Sequence, residues 1–240
     1  MTSKKQGPSA TNAWMISTFI FAGLLFLSLV WTAVFTMIVF SGGLATQAPA
    51  QTIPAPSQPT TPPAQQQPSG AAPQIDFATA HTLGDPNAPV VMVEYSSFTC
   101  PFCGRFHAET FPDIQSFIDR GDVFYVYRHF PRSAEDVRIA NFAECAAEQD
   151  AFFSFIDRIY SNQGAVSDAN LRAHAQALGL DMSAFDSCVE SGRNRGVADD
   201  HLAEARQVGV TGTPTFFVND NRIVGAQPFS VFQQAIQAEI

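Results

Sequence analysis

The sequence predicts an α/β domain with an inserted block of helices, carried behind an apolar N-terminal segment and a polar linker. Three observations predict it. Val90–Tyr95 and Val123–Phe130 are nearly continuous apolar runs, as strands covered on both faces are. Residues 133–208 change to helical periodicity. Strand character then returns at Pro214–Val218 and Arg222–Val224, before a closing helix over Pro228–Ala238 with proline near its first turn.

From the N-terminus, residues 1–13 carry Lys4 and Lys5, the only charges before Asp76. Trp14–Phe40 follows without a charge and is longer than the ~20 apolar residues that span a bilayer. The preceding lysines favour a cytoplasmic N-terminus and place the rest outside. A cleaved signal peptide is the alternative, although its apolar core usually runs only ~7–15 residues. Residues 41–74 are mostly Pro, Gln, Ala, Thr and Ser, a composition that offsets little ordering entropy and predicts a disordered tether. The folded domain is expected over 75–240.

That domain holds 11 arginines, no lysine and all 22 acidic residues, a net charge of −11. So acidic a surface argues against nucleic-acid binding. A first strand is expected near Ile75–Phe77, then a turn at Gly84-Asp85-Pro86-Asn87. Phe102–Ile118 has helical spacing that Pro112 kinks or breaks. Within the helical block the reading is Glu135–Ser161, Ser167–Leu178, Met182–Ser191 and Arg195–Gln207. Ser167 is the expected N-cap of its helix and Gly179 its stop. A two-residue turn at Asp220-Asn221 joins the last two strands. The order β, β, α, β, helical block, β, β, α is that of a thioredoxin fold with a helical insertion.

Cys100-Pro101-Phe102-Cys103 stands where the second strand run ends and a helix begins. Alone, this motif fits redox chemistry, a structural disulfide or half a zinc site; no second copy completes a zinc set. A redox pair needs an exposed attacking thiol with a lowered pKa and a shielded resolving one. A helix N-terminus lowers the first, which makes Cys100 the expected nucleophile and Cys103 the resolving thiol. Cys145 and Cys188 are isolated singles in the helical block. A structural bridge between them would contribute about 4 kcal/mol by loop closure; a regulatory pair or two free buried thiols are the alternatives. His107 shares a helix face with Cys103 and reads as an ordinary helix histidine, with thiol tuning or metal binding as alternatives. His81, His129, His174 and His201 show no metal-ligand spacing.

The segment Val93–Cys103 resembles the active-site strand and turn of DsbA-like thiol–disulfide oxidoreductases, and Val210–Val218 resembles their cis-proline loop. The resemblance covers residues 76–240. It implies that Thr213–Pro214 is a cis peptide bond packed on the disulfide, with the backbone of Thr213 pairing with an extended substrate. It implies that Glu94 is a buried acid taking or relaying the Cys103 proton; an exposed residue at a frayed strand end is the alternative. Phe102, beside Cys100, is a candidate for the substrate groove, and it replaces a histidine that helps make the best-known oxidases strongly oxidising.

The resulting expectation is an extracytoplasmic, membrane-anchored oxidase acting on exported proteins and reoxidised by a DsbB- or VKOR-like membrane partner, without cofactor or metal. A reductase or isomerase using the same residues is the nearest rival. A soft-metal module and a non-catalytic peptide-binding module are further ones.

Overall fold

The computed structural model describes residues 72–77 and 80–240. Among them five strands form one sheet: β1 (His81–Leu83), β2 (Val90–Ser96), β3 (Val123–His129), β4 (Thr215–Val218) and β5 (Asn221–Val224), in the order β1-β3-β2-β4-β5. β2 and β3 run parallel, with Glu94 opposite Tyr127 and Ser96 opposite His129. The pairs β1–β3, β2–β4 and β4–β5 are antiparallel.

The helices of the described residues are α1 (Pro101–Glu109), α2 (Phe111–Asp119), α3 (Ala134–Ala147), α4 (Phe152–Ser161), α5 (Asp168–Ala177), α6 (Met182–Ser191), α7 (Arg195–Gln207) and α8 (Phe229–Gln237). The two parallel strands are buried almost throughout, as their apolar runs require. Strand alternation then sorts the core. Met92, Tyr125, Tyr127, Phe216 and Val218 join the large cluster containing Phe106, Phe232 and the insertion. Val93, Tyr95, Phe124, Val126 and Phe217 form a second cluster with Ala205 of α7 and Val210.

Several expected boundaries move. Ile75–Phe77 is not a strand: the edge strand is His81–Leu83. The segment instead packs apolar side chains on the second cluster, with Phe77 edge-on to Phe124 at 5.4 Å between ring centres. Just before it, Pro73 is buried. The expected Phe102–Ile118 helix divides at Thr110, with Pro112 in the first turn of α2, where its missing N–H costs nothing. The single expected helix over 135–161 is two, separated at Asp150, whose φ of 58° no helix accommodates. Ser167 does cap α5, accepting from the Asn170 N–H. The last turn falls at Asn219–Asp220, one residue early, because Asn219 takes the left-handed conformation (φ 49°).

No helix among the described residues is long and apolar enough to cross a membrane. The expected span Trp14–Phe40 and nearly all of the linker lie outside the described residues.

Candidate active site

Cys100 is the N-cap of α1, in extended conformation (φ −83°, ψ 117°), and its carbonyl accepts from the N–H groups of Cys103 and Gly104. Pro101 occupies the first helical position, which needs no donor. Cys103, one turn on, is fully buried, and its sulfur accepts from the Ser97 N–H at 3.5 Å. The two thiols are hydrogen-bonded to each other.

This arrangement makes the pair asymmetric. The Cys100 thiol is pulled down to about 5, chiefly by the hydrogen bond from Cys103, while burial opposes the shift and the N–H groups of Phe102 and Cys103 assist it. Cys103 is pushed far up, first by burial, then by the same hydrogen bond and by the negative charge of Glu94. One expectation changes: Cys100 is not exposed but only 1 % accessible. The Thr213–Pro214 loop covers it, with the Thr213 carbonyl 3.3 Å from its sulfur. What sets this thiol apart is its lowered pKa rather than its exposure.

The Thr213–Pro214 bond is cis. Thr215 Oγ1 donates to the Gly212 carbonyl at 2.7 Å, and the Pro214 carbonyl accepts from the Gly225 N–H at 2.8 Å, which ties the loop to β5. Phe102 is 55 % exposed. It rims a groove with Arg105, Thr110 and Gly225–Pro228, and the Arg105 guanidinium lies 5.1 Å from its ring centre.

Glu94 is fully buried, so it is not at a frayed strand end. The β2 alternation turns it, with Met92 and Ser96, toward α1. Tyr125 donates a hydrogen bond to Oε2 of Glu94, and His107 Nε2 lies 3.2 Å from Oε1. Both oxygens being engaged, Glu94 acts on Cys103 through its charge. His107, expected to be ordinary, is part of the site: it stacks on Tyr160 at 3.9 Å between ring centres and borders a cavity also lined by Phe111, Pro112 and Asp157. Burial, eased by His107, raises the Asp157 carboxyl. Tyr160 in turn donates to Ser96 Oγ at 2.9 Å and pairs with the Tyr127 hydroxyl.

Two supports escaped sequence reasoning. Asp136, buried at the start of α3, accepts from Ser97 Oγ (2.9 Å), Thr99 N (3.0 Å), Thr99 Oγ1 (3.0 Å) and Arg132 N (2.9 Å), clamping the turn that leads to Cys100. Its signal was present: Ser133 and Asp136 are spaced as in a capping box, and Ser133 Oγ does accept from Asp136 N. Gln163 donates to the carbonyls of Phe98 (2.8 Å) and Cys100 (2.9 Å). It fits because Gly104 has no side chain; a Cβ there would lie 2.1 Å from the Gln163 amide oxygen. No sequence signal marks that contact. Away from this site, a disulfide joins Cys145 of α3 to Cys188 of α6, with Cα atoms 5.7 Å apart.

Comparison with known proteins agrees with this geometry. The family model described as Thioredoxin matches residues 77–238. The crystal structure of Wolbachia pipientis α-DsbA1 superposes with a TM-score of 0.62 at 27 % identity, covering 69 % of this chain and 92 % of that one. Oxidised BdbD from Bacillus subtilis gives a TM-score of 0.65 at 22 % identity over 71 % and 98 %, a likeness of fold alone. The Na(+)/H(+) antiporter NhaA 1 of Mycobacterium sp. (strain KMS) is 33 % identical over 169 residues, 68 % of this chain but 27 % of that protein. The chain thus spans about a quarter of the length of such curated relatives, and the antiporter name describes them. With more than half of its length matched by the family model, the chain belongs to the thioredoxin superfamily, among the DsbA-like thiol–disulfide oxidoreductases.

Proposed function

We propose that the protein donates the Cys100–Cys103 disulfide to exported proteins. A substrate thiolate attacks Cys100 Sγ, forming a mixed disulfide and expelling Cys103 as a thiolate, which takes up a proton. A second substrate thiolate then attacks the substrate sulfur of that mixed disulfide, and Cys100 leaves as a thiolate. The substrate gains a disulfide and the enzyme is left as a dithiol. Two electrons have moved from substrate to enzyme.

The observation that carries this reading is the Cys100 thiol held at about 5. A stabilised thiolate favours the reduced enzyme, hence electron flow toward it, and makes Cys100 a good leaving group. Glu94, held by Tyr125 and His107, keeps the resolving Cys103 protonated through its negative charge. The cis Thr213–Pro214 loop offers the Thr213 backbone to an extended substrate, and Phe102 supplies an apolar rim.

The apolar Trp14–Phe40 segment and the residue 41–74 linker support a single anchor, residues 1–13 inside and the 75–240 domain outside the cytoplasm, within reach of a DsbB- or VKOR-like reoxidant. Protease protection of the full chain in sealed membranes tests this; a protected catalytic domain overturns it.

Phe102 between the thiols favours a second reading, a milder reductase or isomerase. Equilibration with glutathione separates the two. A potential nearer ~−120 mV supports the oxidase, whereas one near ~−270 mV makes the protein a reductant.

A further inference from the structure

We propose that His81, His129 and Glu144 form a binding site for one divalent transition cation of the zinc class. Their sequence spacing shows no ligand pattern; the fold creates one. His81 pairs with Tyr127 across β1 and β3, and His129 stands two residues beyond Tyr127, so the two imidazoles are diagonal neighbours on one sheet face. Glu144, late in α3, meets both.

Nε2 of His81 and Nε2 of His129 lie 2.8 and 2.7 Å from the same carboxylate oxygen, Oε1 of Glu144. All three ligand atoms fall within 4.8 Å of one another. Tetrahedral zinc with bonds of ~2.0–2.1 Å spaces its ligand atoms ~3.3 Å apart. To admit an ion the carboxylate oxygen withdraws by about 0.5 Å and the two imidazole nitrogens settle about 3.3 Å apart. Two imidazole nitrogens and one carboxylate oxygen suit zinc, cobalt or nickel, whereas calcium and magnesium demand oxygen ligands.

Aromatic packing fixes the rings. His81 stacks on Phe152 with 3.6 Å between ring centres, and His129 packs against Phe98 and His201, each at 5.5 Å. Glu144 and His129 are buried, while the His81 side chain is 16 % exposed, which leaves a side open to solvent from which an ion can enter. Phe98, which packs on His129, is two residues from Cys100, so the cluster adjoins the active-site turn.

The test is calorimetric titration of zinc into untagged, oxidised full-length protein, in which all four cysteines are paired and cannot compete. It stands independently of the redox direction. One equivalent should bind, and cobalt should give the visible absorption of a tetrahedral site. His81→Gln and Glu144→Gln should each weaken binding by at least ~10–100-fold, the range that even outer-shell partners command. His81 is on a short, partly exposed edge strand, so His81→Gln remains decisive if Glu144→Gln does not fold. Absence of binding, or affinity unchanged in His81→Gln, overturns the site and leaves a buried ion pair only.

Discussion

His107 Nε2 lies 3.2 Å from Glu94 Oε1, so the helix that carries Cys103 also carries the imidazole that contacts the acid acting on it. Charge on Glu94 is one of the causes that keep the resolving thiol protonated. In a Cys100→Ala background, Glu94→Gln should move the Cys103 titration down, because the nearby negative charge is gone. Alkylation rate against pH reads it, and an unchanged profile would remove Glu94 from the mechanism.

Cys100 should show a pH profile of its own. Its thiolate reactivity should rise through a midpoint near 5, and Cys103→Ala should raise that midpoint by removing the largest stabilising contact. Because the folded value is depressed, reduced protein gains stability relative to oxidised protein. The Cys100 contribution is complete near ~8.5, where an unfolded thiol ionises, and is lost as pH falls through 5; above ~8.5 the raised Cys103 thiol opposes it. Denaturation midpoints of both redox forms across that range check the sign.

Asp136→Ala should leave the Ser97 and Thr99 donors unpaired and cost roughly 1.5–3 kcal/mol, as lost hydrogen bonds to a charged group do. Chemical denaturation measures the loss; a change under ~0.5 kcal/mol, ordinary for a surface site, would contradict the clamp.

Gly104→Ala should evict the Gln163 side chain and cost roughly 1–3 kcal/mol, as overpacking does. Combined with Gln163→Ala, the loss should be smaller than the sum of the two single losses, because the clash has gone. Strict additivity would argue against the contact.

Replacing Cys145 and Cys188 together by Ala should lower stability by roughly 2–4 kcal/mol. The Cys100 midpoint should stay near 5, since every cause acting on it is local. Thermal unfolding and thiol titration of the same sample separate these outcomes.

Much of this was legible in the sequence because it depends on local patterns. Apolar runs place β2 and β3, Pro101 and its neighbours place the start of α1, and the Cys100–Cys103 spacing spans one helical turn. What escaped depends on long-range contacts. Nothing near Asp150 announces a left-handed residue that ends α3, and nothing near Phe77 says that its ring will find Phe124. The burial of Cys100 comes from a loop over a hundred residues away. His107 was visible as a neighbour of Cys103, but its tie to Glu94 needs the β2 register. Asp136 carried a capping signature that explains α3 without revealing that the same carboxylate holds the turn before Cys100.

The sheet ends on one side in β1, three residues long, and on the other in β5, four residues long. An enzyme acting on unfolded chains, as proposed here, would meet their extended backbones, and a long free border would invite them to add as strands and aggregate. Borders this short give an incoming chain little to zip onto. On the proposed function, a client would be held mainly through sulfur and one loop, and once the exchange was complete little else would retain it.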